Sequence, residues 1–383
     1  MIDHNADQEI GPNPEDQEMI QILRSHFHYL DVRAPIEFAT GHIPGAINSP
    51  ILQDEERRII GTEFKLNGRE SAIRTGEFLV SGANKSQKIE AWRQQIQKYP
   101  ELVLYCYRGG LRSKFACEWI TDLGIRVHRL EGGYKRARNA LLQTLSLNAE
   151  KFQMIPLTGK TGTGKTDLLT ELAERHLTLD LERLANHRGS AFGKLGPQPA
   201  QAQFENLIAL ALLRIPQKHP GLETIRFLNG TKKQTLIVED ESRMIGGCTL
   251  PESVFANFRS QPVLLLEEPM DFRVQVILES YVVSKYKTLD NPDLVLQSLE
   301  ESLKSIVKKL GFQRFTELSE RMKAAHGESL KGEYNGHRNW IEVLLREYYD
   351  PLYQKSFTKR NPRVLVAGNR TELKEWIHSH API

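Results

Sequence analysis

Cys106 ends a short apolar run, Leu102-Val-Leu-Tyr105, and is followed by Tyr-Arg108-Gly109-Gly110-Leu-Arg112-Ser113 and then helix-forming sequence. A strand that stops at a cysteine and turns into a helix N-terminus aims successive backbone N–H groups, and the positive end of the helix dipole, at the sulfur and at any anion beside it. Arg108 and Arg112 add charge, and Gly109 and Gly110 let the backbone curl closely. Such surroundings favour the thiolate, the nucleophilic form of cysteine. Cys106 is therefore the candidate nucleophile, with Arg108, Gly109, Gly110 and Arg112 as its anion site. Cys117, inside the following helix, and Cys248, in a Gly-Gly-Cys stretch, lack such neighbours and read as structural.

A second chemical feature lies downstream. Gly159-Lys-Thr-Gly162-Thr-Gly164-Lys165-Thr166 has Walker A spacing, after the apolar run Phe152–Leu157 and before a helix starting near Thr166. Backbone N–H groups of such a loop cradle consecutive phosphates, Lys165 reaches the terminal phosphate, and the Thr166 hydroxyl holds Mg²⁺. The strand Thr235–Val238 runs into Glu239-Asp240-Glu241 and offers a Walker B carboxylate; the order Glu-Asp, in place of Asp-Glu, leaves open which acid faces a metal. Between them, Asn186-His187-Arg188-Gly189-Ser190-Ala-Phe192-Gly193 suits either a mobile lid over an anionic ligand, carried by His187, Arg188 and Ser190, or a plain surface turn.

The elements that must hold these loops follow from the apolar pattern. Phe27–Val32, Leu102–Tyr105 and Arg126–Leu130 read as strands, and Ile89–Tyr99 and Ser113–Leu123 as helices, an alternation that argues for an α/β sheet. Gln143–Lys151 reads as a joint. A second α/β run uses Phe152–Leu157, Leu236–Val238 and Val263–Leu266. From Asp271 to about Lys355 the pattern is helical, with Leu303, Ile306, Val307 and Leu310 at the spacing of one amphipathic helix. Arg363–Ala367 and Glu372–His378 add a last strand and helix. The expected organisation is an α/β fold in three segments: 1–148 around Cys106, 149–270 around the phosphate loop, and a helical, basic 271–383.

With 383 residues, 40% hydrophobic and 26% charged, the chain has the composition of a multidomain globular protein, neither disordered nor fibrous. Three cysteines make no disulfide framework, and no stretch approaches the ~20 apolar residues of a membrane span. A cytoplasmic protein with no membrane partner is expected. The net charge is only +3 but is sorted: the first twenty residues hold six acids and no Lys or Arg, while 304–323 hold six basic residues against two acidic. Lys304, Lys308, Lys309 and Arg314 are either a solvated face or a nucleic-acid footprint.

Three ordered motifs carry a resemblance. Asp31-Val-Arg33-Ala-Pro-Ile-Glu37 through Gly41-His42-Ile-Pro44-Gly45-Ala-Ile-Asn48 and Val127-His-Arg-Leu-Glu131-Gly132-Gly133-Tyr134 resemble the flanking signatures of rhodanese domains, with Cys106 where the persulfide-forming cysteine belongs. Rhodanese loops usually place four residues between Cys and Arg. Here there are five, the spacing of cysteine phosphatases, which suits a larger tetrahedral anion. A rhodanese domain joined to a P-loop domain, with Asn-His-Arg-Gly-Ser-x-Phe-Gly and Tyr348-Tyr349-Asp350-Pro351-Leu-Tyr353, is similar to the tRNA 2-selenouridine synthase family. The resemblance implies replacement of sulfur by selenium at C2 of a wobble 2-thiouridine in tRNA. The co-substrates it implies are selenophosphate and geranyl diphosphate. Cys106 would carry selenium as a perselenide, the P-loop would hold a diphosphate with Mg²⁺ on Thr166, and no cofactor is tightly bound. Basic C-terminal helices would touch tRNA, and an enzyme supplying selenophosphate is an expected partner. The competing expectations are an ATP-dependent rhodanese-type tRNA sulfurtransferase and a Cys-x5-Arg phosphatase fused to a kinase-like domain.

Overall fold

The computed structural model describes residues 14–25, 28–218 and 233–380, so the acidic residues 1–13 and Phe27 lie outside the described part. The chain divides into two compact units, Met1–Asn148 with Pro199–Arg214, and Ala149–Gln198 with Ile215–Ile383. The expected three-segment organisation is corrected accordingly. Pro199–Arg214 leave the 149–270 segment for the first unit, and 271–383 share a unit with the phosphate loop. Side chains explain the first change: Arg138 donates to Asn206 Oδ1 (2.6 Å), Asn206 Nδ2 donates to the His42 carbonyl (2.9 Å), and Arg214 Nη2 to the Leu23 carbonyl (2.7 Å).

In the first unit four short strands, β1 (Tyr29–Asp31), β2 (Ala46–Asn48), β3 (Val103–Tyr105) and β4 (His128–Arg129), form a parallel sheet in the order β2-β1-β3-β4. Parallel neighbours need long crossovers, and helices supply them. Trp92 anchors the core among Leu30, Val32, Leu104 and Ile120, its indole N–H donating to the Ser49 carbonyl (2.9 Å). The expected joint at Gln143–Lys151 holds the boundary between the two units, after Asn148, and it is helical, the second half of the helix Gly133–Lys151. Ala137, Leu141, Leu145 and Ala149 recur every fourth residue and are buried, so one apolar stripe runs through it.

The second unit has a five-stranded parallel sheet made from β5 (Phe152–Thr158), β6 (Thr178–Leu179), β7 (Gln234–Glu239), β10 (Val263–Leu266) and β11 (Val364–Gly368), ordered β11-β10-β5-β7-β6, and a small hairpin, β8 (Met244–Ile245) and β9 (Cys248–Thr249). All seven residues of the central strand β5 are buried, as a strand covered on both faces requires. The C-terminal strand joins this sheet as its edge, beside β10. The helices after Asp271 pack around Trp340, Val295, Leu299, Leu318 and Met322. The single amphipathic helix expected through Leu303–Leu310 is broken: Pro292–Ser305 ends before Ile306 (φ −106°, ψ 1°), and Val307–Leu310 is a separate turn. Leu303 and Ile306 are nevertheless both buried, so the spacing reported the apolar face and not the continuity of the helix. Among the described residues no helix is long and apolar enough to cross a membrane.

Candidate active sites

The Cys106 loop links the end of β3 to the helix Leu111–Thr121, whose first amide groups have no partner within the helix. Its back is fixed by the Gly132–Gly133 turn. Tyr134 N–H donates to the Cys106 carbonyl and Lys135 N–H to the Tyr107 carbonyl, both at 2.9 Å. Because C=O and N–H of one trans peptide point opposite ways, the Tyr107 and Arg108 N–H groups are turned away from that contact. Gly133 has φ +56°, and a Cβ there would stand 2.2 Å from the Cys106 carbonyl oxygen, so only glycine fits behind the loop. Cys106 is 3% exposed, and its Sγ lies 3.2 Å from Ser113 Oγ.

A pocket of about 820 Å³ opens over this sulfur, lined by Cys106, Tyr107, Arg108, Gly110 and Arg112 together with Arg33, Arg57, Tyr134 and Arg138. Arg108 is exposed and free to meet a ligand at the mouth. Arg112 departs from the expectation of a free anion ligand: its guanidinium is held by Glu37 (2.5 and 3.2 Å), which Arg57 also contacts (3.0 Å). Burial works against the Glu37 charge, and Arg112 and Arg57 outweigh it, holding the carboxyl below its ordinary value. Arg33 is buried against Asp31 (2.6 Å), donates to the Gly41 carbonyl and stacks over Tyr134 at 4.2 Å. Sequence reasoning had quoted Asp31, Arg33 and Glu37 as a signature without a role, and it missed Arg57, Arg138 and the contact of Ser113 with the sulfur. The Ser after Arg112 in the Cys-x5-Arg-Ser pattern was the available signal.

In the second unit β5 feeds the phosphate loop. Gly162 and Gly164 have φ of +84° and +76°, and a Cβ on Gly162 would stand 2.8 Å from the Arg273 carbonyl oxygen. Lys165 Nζ donates to the Gly159 carbonyl (2.9 Å), inside the nest that phosphates would occupy. Thr166 Oγ1 lies 2.8 Å from Glu239 and 3.1 Å from Glu182. This answers which acid faces the loop. Glu239 meets the Thr166 hydroxyl, whereas Asp240 lines the same pocket but is ion-paired with Arg360 (2.7 Å). Glu182, in the short helix Leu181–Ala185 that follows β6, was missed because no motif marks it. A pocket of about 290 Å³ brings Lys165, Thr166, Glu182 and Glu241 together with Arg188 and Ser190. Arg188 donates to the Ser280 carbonyl (2.7 Å) and lies over the Tyr281 ring. His187 does not join them: its ring is buried, its Nδ1 has no partner among the described residues, and burial holds its pKa down.

Burial, followed by the neighbouring Glu182 and Asp180 charges, pushes the Glu239 carboxyl up to about 8. A carboxyl raised in the fold contributes stability that is whole below its unfolded pKa and is lost as pH rises through the folded value. The thermal midpoint of the protein is therefore expected to fall between about pH 4.5 and pH 8. Glu239→Gln, followed by thermal unfolding across this range, should flatten the slope.

The Tyr-Tyr-Asp-Pro segment acquires a role here. Arg273, 3% exposed, donates through Nε to the Thr161 carbonyl of the phosphate loop (2.9 Å), and its other nitrogens grip Asp350 at 3.0 and 2.5 Å. Tyr353 Oη lies 3.2 Å from Thr158 Oγ1 at the end of β5. Removing one partner of a buried pair strands the other charge, so Asp350→Ala should cost about 3–5 kcal/mol in denaturant unfolding.

Of the four expected tRNA contacts, Lys304, Lys308 and Lys309 are exposed. Arg314 differs from these lysines in its surroundings, since Glu317 (2.6 Å) and Glu347 (2.5 Å) hold its guanidinium.

A cysteine in a cation-lined loop at the end of a parallel strand, and a Walker A loop on a second parallel sheet, define a rhodanese-like domain joined to a P-loop domain. Residues 15–140 match the family model of the rhodanese-like domain, and residues 152–382 match that of the tRNA 2-selenouridine synthase AAA domain. The tRNA 2-selenouridine synthase of Marinobacter nauticus is 38% identical over 97% of this chain and 99% of its own length. Those of Pseudomonas entomophila (40%, over 92% and 93%) and Nitrosomonas europaea (37%, over 91% and 94%) are similarly related. The chain belongs to the tRNA 2-selenouridine synthase family.

Proposed function

We propose that this chain modifies tRNA, replacing sulfur by selenium at C2 of a wobble 2-thiouridine in two stages, S-geranylation from geranyl diphosphate and then displacement of the geranyl thiol by selenium from selenophosphate. The observation that carries this reading is the Cys106 pocket, a nucleophile under a cation-lined cavity of about 820 Å³ that has room for a tetrahedral anion beside a larger substrate, in a chain related end to end to enzymes of that name. C2 surrenders sulfide poorly, but once alkylated the sulfur leaves as a thiol. The P-loop holds the diphosphate of the allylic donor. Thr166 and Glu239 offer oxygen ligands suited to Mg²⁺, which takes its remaining ligands from phosphate and water. Such an ion would neutralise the departing diphosphate.

Electron balance refines the expected role of Cys106. Loading selenium onto sulfur from selenophosphate would demand an oxidant, and releasing it a reductant. Attack of the Cys106 thiolate on phosphorus demands neither. The S–P bond forms, the P–Se bond breaks, and selenium leaves with the electron pair as hydrogen selenide. That anion adds to C2 and expels the alkyl thiol, and water then releases phosphate from the sulfur. Lys304, Lys308 and Lys309 contact the RNA backbone, each adding about one unit to the log–log salt slope. The test is purified protein given selenophosphate and an anticodon stem-loop bearing S-geranyl-2-thiouridine. Mass spectrometry should find 2-selenouridine without any added thiol reductant. An unchanged nucleoside would sink the proposal.

A further inference from the structure

A second cavity in the first unit, of about 990 Å³, adjoins the Cys106 pocket and has no part in the steps above. It lies between the two arms of the helical segment Asp54–Leu79, which is kinked at Gly68 (φ +82°), and the first turns of the helix Leu111–Thr121. Ile60, Phe64, Ile73, Leu111, Phe115 and Trp119 give it apolar walls. Phe64 is 56% exposed, a large apolar ring left facing solvent inside the groove. Concave apolar surface of this size marks a ligand or partner site. Its rim is cationic, with Lys65 and Arg69 outside the pairing that ties Arg57 to Glu37, and with Arg58 paired to Glu55 (2.5 Å). Arg108, Gly110, Leu111 and Arg112 line both cavities, so the groove runs directly into the reaction pocket.

We infer that this groove holds the prenyl chain of the S-alkylated tRNA intermediate, with the cationic rim facing the RNA phosphates. The inference rests on the two-stage reading above and names where its leaving group lies. The carbon–sulfur bond that breaks must sit at the Cys106 pocket, because selenium is released there. A branched ten-carbon chain on that sulfur must therefore leave the pocket through one of its walls. The groove is the apolar exit, and charge complementarity selects a chain carried by a polyanion over a neutral lipid. Apolar contacts with the chain are the same before and during bond breaking, so they tighten binding and leave the chemical step unchanged.

The experiment uses the full chain and anticodon stem-loops carrying S-methyl or S-geranyl-2-thiouridine, with Kd, KM and kcat measured for each. Wild-type protein should bind the geranyl RNA about ten- to a hundredfold tighter than the methyl RNA, for partial burial of the extra carbons. Phe64→Ser and, independently, Ile73→Trp should remove most of that preference through Kd and KM, with kcat and all values for the methyl RNA unchanged. The unchanged methyl values also establish that the variants fold. Equal binding of both RNAs by wild type, or a preference that survives both substitutions, overturns the groove. Tight, groove-dependent binding of a geranyl RNA that is never converted would uphold the groove and defeat the two-stage reading.

Discussion

Cys106→Ala is expected to lower selenation of S-geranylated RNA by about a thousandfold or more, while S-geranylation and the thermal midpoint stay near wild type. In the proposed mechanism the sulfur has two jobs that alanine cannot do, attacking the tetrahedral donor and sitting at the focus of the loop's N–H groups. The fold loses little, since Cys106 packs among Leu30, Leu104 and Ala116 and the substitution removes one atom. Doubly labelled selenophosphate reveals which half of the donor the sulfur takes. Incubated without RNA, wild-type protein should retain the phosphorus label and release the selenium label, and Cys106→Ala should retain neither. Retention of selenium would mean a perselenide and an undetected redox partner. Robust 2-selenouridine formation by folded Cys106→Ala would remove the cysteine from the mechanism altogether.

Lys165→Ala should produce the complementary defect, a loss of S-geranylation of at least about a hundredfold with selenation of pre-geranylated RNA spared. Lys165 Nζ bonds the Gly159 carbonyl and would swing to a phosphate oxygen once the loop is filled. In allylic transfer the charge develops on the departing diphosphate, where that ammonium and the loop N–H groups stand. ATP-driven chemistry would also need a group directing a nucleophile to the γ-phosphate. Chromatography of the two RNA products, with and without ATP, separates these cases. A requirement for one ATP hydrolysed per selenium inserted, or normal geranylation by Lys165→Ala, would make the loop an ordinary nucleotide site.

Much of both loops was legible because their chemistry is local. A strand, a few glycines and a cation within eight residues suffice to mark Cys106 or Lys165, and the parallel strands around them read directly from apolar runs. What was not legible depends on residues far apart in sequence. Nothing near Arg112 reveals that Glu37, across the loop, will neutralise it, and nothing near Thr166 reveals Glu182. The ambiguity between Glu239 and Asp240 is likewise settled from far away, because it is Arg360 that pairs with Asp240 and leaves Glu239 to Thr166. Arg314 illustrates the limit of counting charge: the basic excess of 304–323 is real, but Glu347, outside that window, cancels one of its members. The boundary within Gln143–Lys151 was legible, but its helical form was not, because the polar residues there mask the every-fourth-residue apolar stripe.

The Arg273–Asp350 clamp has a consequence for the order in which the chain is made. The phosphate loop leaves the ribosome early, but the carboxylate that orients its arginine emerges nearly two hundred residues later, and the edge strand Val364–Gly368 later still. At ordinary elongation rates that interval is about 10–40 s. Within it, once Arg273 has been made, a further 77 residues, about 4–15 s, pass before its counter-charge exists. A message broken before codon 350 would yield a protein with an intact Walker A sequence and no Asp350 to secure the loop, so nucleotide- or diphosphate-binding activity reports on synthesis of the C-terminal third as much as on the motif itself.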